Sequence, residues 1–98
     1  MRCVFSKYEL YLIWKIVYKR RWCPKKHISK RDLIKGKPCN DDYKKALHQL
    51  VKEGIFQEYK SQGRNDVCIP KIHKAEIMKI LKKHKDQYDF IIGLEFIQ

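Results

Sequence analysis

Cationic side chains are the residues most able to do chemistry in this chain, and they are clustered. Over residues 19–37, Lys19, Arg20, Arg21, Lys25, Lys26, Lys30, Arg31, Lys35 and Lys37 stand against Asp32 alone, nine charges against one. Residues 71–85 hold six lysines against Glu76. Residues 40–62 balance, with Lys44, Lys45, Lys52 and Lys60 against Asp41, Asp42, Glu53 and Glu58. Over all 98 residues, 23 Lys+Arg and 11 Asp+Glu leave a net charge of +12. A field of that sign favours polyanions: nucleic acid first, then acidic membrane surfaces, then acidic protein partners. Lysines can also serve only to keep a surface solvated, but uniform solvation does not require them in blocks.

Cysteine and histidine offer a second chemistry. Cys3, Cys23, Cys39 and Cys68 contain no CxxC pair, and their spacing suggests no disulfide framework. Cys23-x3-His27 and Cys68-x4-His73 are two Cys/His pairs. Structural zinc sites usually pair Cys with Cys and His with His, so this spacing departs from the pattern. Acid–base or nucleophilic catalysis has no visible constellation. The chain lacks a Gly-rich phosphate loop, a nucleophile motif and a carboxylate cluster away from a helix cap. The expectation is therefore a protein that is not an enzyme and uses no metal, cofactor or small-molecule ligand.

Residues 39–70 organise the rest of the chain. Tyr43, Ala46, Leu47, Leu50 and Val51 recur at helical spacing and share one face. Asn40 suits the N-cap, Asp41 and Asp42 suit the first turn, and Gly54 suits the C-terminal stop. IFQEYK and DVCI then flank SQGRN, a five-residue polar loop that reads as a hairpin. Upstream, residues 5–20 predict a helix that is apolar or aromatic on most sides, which must be buried on most sides. HIS predicts a short strand. SKRDLIKG predicts a second helix with Ser29 and Asp32 in a capping-box arrangement. From Lys74 onward, Ile77, Leu81, His84, Tyr88 and Ile91 step by four and three, predicting a long amphipathic helix.

Length and an apolar content of 44% fit one domain, residues 1–98. The apolar run YELYLIWKIVY is interrupted by Glu9 and Lys15, too short to span a bilayer, and not built as a signal peptide. A soluble cytoplasmic, nucleoid-associated protein is the expectation.

Helix, short strand, helix, turn, helix, strand, polar loop, strand: this order resembles a winged helix-turn-helix domain of the small prokaryotic regulator type. The resemblance covers residues 5–70, about two-thirds of the chain, and rests on order and lengths, since no single motif is diagnostic. It implies an α+β, mostly α fold with a β-hairpin wing and an added C-terminal helix. Residues 71–98 would then serve as the dimerisation element, and the first and last helices would join two copies in a homodimer. The implied function is double-stranded DNA binding as a small transcription regulator. An RNA-binding or sequence-independent winged helix is one alternative, and a protein–protein module using the aromatic helix faces is another.

The resemblance also assigns roles to residues. Lys25, Lys26, Lys30 and Arg31 fall where phosphate contacts are made, and Arg64 falls at the wing tip, within reach of a minor groove. The outward face of the third helix presents Lys44, Lys45, His48, Gln49 and Lys52. There Gln49 could pair with adenine and Lys45 with guanine. Asp41 and Asp42 depart from the pattern, since they would repel phosphate at the helix end that points toward DNA. The first strand would lie beside the last wing strand, bringing the two Cys/His pairs near each other. Isolated buried thiols are expected there. A zinc site and a Cys23–Cys68 disulfide, the latter needing an oxidising or heat-adapted cell, are the alternatives.

Overall fold

A computed structural model describes residues 4–37 and 40–94, leaving aside the side chains of Asn40 and Ser61. The chain forms α1 (Lys7–Tyr18), β1 (Ile28–Ser29), α2 (Lys30–Ile34), α3 (Asn40–Lys52), β2 (Gln57–Ser61) and β3 (Arg64–Cys68). A 3-10 turn (Lys71–His73) then leads into α4 (Lys74–His84). The three strands are antiparallel in the order β1-β3-β2. This is a small α+β fold, about half helical, as expected from the sequence in its class.

α1 begins where the sequence provides a cap. Ser6 Oγ accepts from the Glu9 amide at 3.2 Å, and Glu9 Oε1 accepts from the Ser6 amide at 2.9 Å. This reciprocal pair satisfies two donors that the first helical turn leaves without partners. It also accounts for the burial of a carboxylate otherwise out of place in an apolar run. The helix ends at Tyr18 with Arg20 in the left-handed region (φ +56°). There the Arg20 amide donates to Val17 O and the Arg21 amide to Ile16 O, each at 3.0 Å. α3 ends by the same device. Gly54 (φ +77°) donates to Val51 O and Ile55 to Leu50 O, both at 3.1 Å, the paired bonds of a Schellman motif. The stop expected at Gly54 is therefore present, while the N-cap expectation at Asn40 falls on a side chain outside those described.

α1 is the centre of the core. Leu10, Leu12, Ile13, Ile16 and Val17 are enclosed together with Leu33, Leu50, Val67, Ile69, Ile77 and Leu81. Each such side chain stabilises the fold by roughly 1.5–3 kcal/mol relative to exposure. The expected face of α3 is buried through Tyr43, Ala46, Leu47 and Leu50, with Val51 at its edge. Tyr8 and Tyr11 meet Tyr43 edge-on at 5.0 and 5.5 Å between ring centroids. Lys15 ties α2 to α1: its Nζ donates to Asp32 O and Leu33 O, carbonyls that the short helix leaves open.

Two expectations are corrected. The long C-terminal helix ends at His84, and residues 85–94 turn back over α1. Phe90 packs edge-on against Tyr11 and Trp14, Trp14 Nε1 donates to Ile92 O at 3.0 Å, and Ile91 and Leu94 are buried. The 4-3-4-3 spacing thus joins two separate apolar surfaces, one helical and one not. Folding back covers the aromatic side of α1 with residues of the same chain, so that side no longer calls for a second subunit. The apolar tail beyond residue 94 lies outside the described residues.

The hairpin loop is also tighter than five residues. Ser61 pairs with Arg64 and Lys60 with Asn65, so that only Gln62 and Gly63 turn. Both have positive φ, +45° and +78°, the backbone of a type I′ turn, whose twist matches that of the flanking strands. Arg64 is consequently the first residue of β3 and not a loop residue.

Candidate functional site

Two neighbouring clefts open on one face of the molecule, and α2 is the ridge between them. One, of about 560 Å³, lies between α2 and α3 and is lined by Lys30, Arg31, Lys35, Lys44, Leu47 and His48, among others. The other, of about 500 Å³, lies between α2 and the hairpin turn, where Arg31, Lys35, Gly63, Arg64 and Asn65 meet Ser29 and Lys30. The geometry follows from local structure. Ser29 caps α2 by accepting from the Asp32 amide at 3.1 Å, which sets the helix directly at the end of β1. β1 lies beside β3 with Ser29 opposite Asp66, so the Gln62–Gly63 turn comes up next to α2. α3 contributes from the other side because its apolar face is committed to α1. Lys44, Lys45, His48, Gln49 and Lys52 are left outward and exposed.

Within this surface some cations are already partnered. Lys30 Nζ forms an ion pair with Glu58 Oε2 on β2. Arg64 Nε donates to Asp66 Oδ1 at 3.0 Å, although the arginine side chain remains 65% exposed. His27 Nδ1 lies 3.2 Å from the other oxygen of Asp66, and its ring stacks on Tyr59 at 4.9 Å. These contacts hold both carboxyls below their ordinary range. For Glu58 the hydrogen bond from Lys30 is the main cause; burial opposes it, and the charges of Lys30, Lys60 and His48 assist. For Asp66 burial pushes upward, but the hydrogen bonds and charges of Arg64 and His27 together outweigh it. Besides Arg64, the exposed cations of this face include Arg31, Lys35, Lys44, Lys45 and Lys52.

Of the ten residues singled out from the sequence, Lys30, Arg31, Lys44, His48 and Arg64 line the two clefts. Lys45, Gln49 and Lys52 lie on the exposed side of α3. Lys25 and Lys26 are elsewhere. Their loop is fastened to the opposite end of β3: the Cys23 amide donates to Ile69 O at 3.0 Å and the Ile69 amide to Arg21 O at 3.2 Å. Lys35, a member of the basic block outside the expected site, also lines both clefts. Its position one helical turn beyond Arg31 was the available signal. Glu58 and Asp66 were missed because only strand pairing brings them to α2 and His27. Asp41 and Asp42 are exposed in the first turn of α3, as expected.

The Cys/His pairs resolve into a disulfide. Cys23 and Cys68 are bonded, with Cα atoms 5.3 Å apart and a sequence separation of 45. Both are buried, and the expectation of isolated thiols is corrected. The cause is topological: residues 21–23 run alongside the end of β3 through the Trp22–Ile69 bridge, which brings the two Cα atoms within ordinary disulfide range. His27 is drawn to Asp66 and Tyr59. No group of three or more metal-ligating side chains occurs among the described residues. Among them, too, no helix is long and apolar enough to cross a membrane.

The polar groups at these clefts are Lys and Arg side chains, the His48 imidazole, Ser29 and Asp32 at the cap of α2, and Arg64 and Asn65 beside the hairpin turn. Such a set is rich in cationic hydrogen-bond donors, the chemistry complementary to anions. No protein-family model, curated protein or solved structure matches the chain.

Proposed function

We propose that this chain is a winged helix-turn-helix protein that binds double-stranded DNA, with α3 as the recognition helix and the β2–β3 hairpin as a short wing. The observation that carries the reading is the convergence of α2, the outward face of α3 and the hairpin turn around two adjacent clefts bordered by Lys30, Arg31, Lys35, Lys44, His48 and Arg64. On this reading Arg31, Lys35 and Lys44 contact phosphates and Arg64 approaches the minor groove. Lys45 and Gln49 face base edges, where a bidentate pair discriminates by about 1–3 kcal/mol. A role in transcription regulation follows as the simplest use of such a module.

Exposed Asp41 and Asp42 at the start of α3 and the Lys30–Glu58 pair favour a second reading, binding of duplex DNA or RNA without sequence preference. Homodimerisation stays part of the leading proposal only through symmetry. Two copies would set their recognition helices roughly 34 Å apart, one helical turn. The Cys23–Cys68 bond suits an oxidising compartment, and a cytoplasmic, nucleoid-associated location is part of the proposal only for a heat-adapted cell.

The test is selection of the purified protein on a random duplex library near about 150 mM salt, where non-specific binding is weakened. Enrichment of a motif, palindromic for a dimer, is the expected result. Retention without enrichment selects the second reading, and absence of retention by duplex DNA and RNA refutes both.

A further inference from the structure

The basic residues do not form one surface. β3 separates them. Its first residue, Arg64, borders the α2 cleft, while its last, Cys68, is bonded to the 21–26 loop. Four strand steps put those ends roughly 13 Å apart. Beyond Cys68 the chain continues away from the clefts into the 3-10 turn and α4. Lys74 Nζ lies 5.4 Å from the ring centre of Trp22, which seats the start of α4 beside that loop. Exposed Lys25 and Lys26 are carried by the same loop.

α4 then presents a cationic face of its own. Ile77 and Leu81 are fully buried. The helical repeat places Lys79, Lys82 and Lys83 on the side opposite them, and all three are exposed, as are Lys71 and Lys85. Glu76 and Asp86 are the acids nearby in sequence. Ile72, at 86% exposure, projects from the turn between Lys71 and Lys74. An apolar side chain kept bare among cations gains on contact with a polyanion that offers an apolar surface between its charges, as base steps in a minor groove do.

We infer that this second face, built from α4, its leading turn and the 21–26 loop, binds a second segment of duplex DNA, so that one molecule bridges two duplexes. The inference rests on the DNA-binding reading of the α2–α3–hairpin face and adds a site to it. Phosphates are the complementary chemistry for lysines spaced along a helix, and each contact releases counterions. The two faces lie at opposite ends of β3, and that separation lets two stiff rods be held without sharing one groove.

The experiment uses the full chain and two duplexes, one immobilised on beads and one fluorescent and free. Wild-type protein should carry the free duplex onto the beads. The variant Lys79→Glu/Lys82→Glu/Lys83→Glu should lose at least about ten-fold in this capture, with less than about three-fold change in affinity for a single short duplex. Lys79→Gln/Lys82→Gln/Lys83→Gln should fall between the two. These side chains are exposed, and an unchanged melting curve and sedimentation mass would show the fold and assembly intact. Capture by the Glu variant equal to wild type overturns the inference. So does equal loss of bridging and of single-duplex binding, which would make α4 part of the first site. A change in mass that tracks the loss assigns α4 to a subunit contact instead. Loss of retention on phosphatidylserine vesicles with bridging unchanged assigns it to a membrane surface. Wild type that binds one duplex but never bridges defeats this inference alone, whereas wild type that binds no duplex defeats the proposed function as well.

Discussion

Lys30 faces the candidate DNA surface but is held by Glu58, and removing that acid should strengthen binding in a way that salt can read. With Lys45 on base edges and Arg64 at the minor groove, the exposed cations of the α2–α3 face left for phosphates are Arg31, Lys35, Lys44 and Lys52. If each neutralises one phosphate at a slope of about −0.9, log affinity falls against log salt with a slope near −3.6. Between about 50 and 200 mM salt that is a loss of roughly 150-fold. Glu58→Gln releases Lys30 as a fifth contact, so the slope should steepen to about −4.5 and the loss to roughly 500-fold. Affinity at low salt should rise with it, since a phosphate replaces the carboxylate as partner. The Lys30 and Glu58 side chains are 30% and 22% exposed, and breaking such a pair costs at most about 1 kcal/mol of stability. The fold therefore survives the substitution. Fluorescence anisotropy of a labelled duplex, titrated at four or more salt concentrations, measures the slope. Glu76→Gln, on α4, removes the same charge away from this face and should leave the slope for a single short duplex where it was. A Glu58→Gln slope no steeper than wild type, or an equal steepening in Glu76→Gln, would refute the reasoning.

Reducing the Cys23–Cys68 bond, or replacing both cysteines with serine, opens a closure of 45 residues. The chain-entropy relation assigns this about 4 kcal/mol, so the urea midpoint should drop sharply with reductant, and an unchanged midpoint would contradict the bond. Acid should destabilise the fold through Glu58 and Asp66, whose carboxyls are held low. Carboxyls with lowered folded-state values add stability above their unfolded values and lose it as pH falls, so the melting temperature should decline from roughly pH 5 downward. Glu58→Gln/Asp66→Asn should flatten that decline, and an unaltered profile would count against these pairs. Gln62 occupies a left-handed position in the two-residue turn (φ +45°), where asparagine is favoured. Gln62→Asn should stabilise by about 0.5–1 kcal/mol in thermal unfolding, and destabilisation would contradict the turn type.

What could be read from the sequence was what repeats along one element. The buried face of α3, its stop at Gly54, the cap at Ser29 and the order of strands and helices all depend on neighbours within a few residues. Features that depend on distant partners were not legible. Cys23 and Cys68 become neighbours only because residues 21–23 extend the edge of the sheet beside β3. Lys25 and Lys26 sit only a few residues before Lys30 in sequence, yet the intervening β1 carries the chain from one end of β3 toward the other. The C-terminal heptad spacing broke at His84 because the aromatic side of α1 offers Phe90 and Ile91 more burial than a lone helix could. The hairpin misled for a local reason. Ser61 and Arg64 are polar and pair without a hydrophobic alternation to announce it. The Ser6–Glu9 capping box, by contrast, depends only on residues three apart and is local in the same sense as the Ser29 cap.

Amide chemical-shift mapping of the isotope-labelled protein with a short duplex tests the central claim most directly. At low duplex excess, the largest shifts should cluster in residues 29–36, in the outward half of α3 (44–52) and at the hairpin turn (62–66). Lys25 and Lys26 should follow α4 and not this cluster. Shifts confined to α1 and the 85–94 segment, or no shifts at all, would contradict the assignment of this face to duplex DNA.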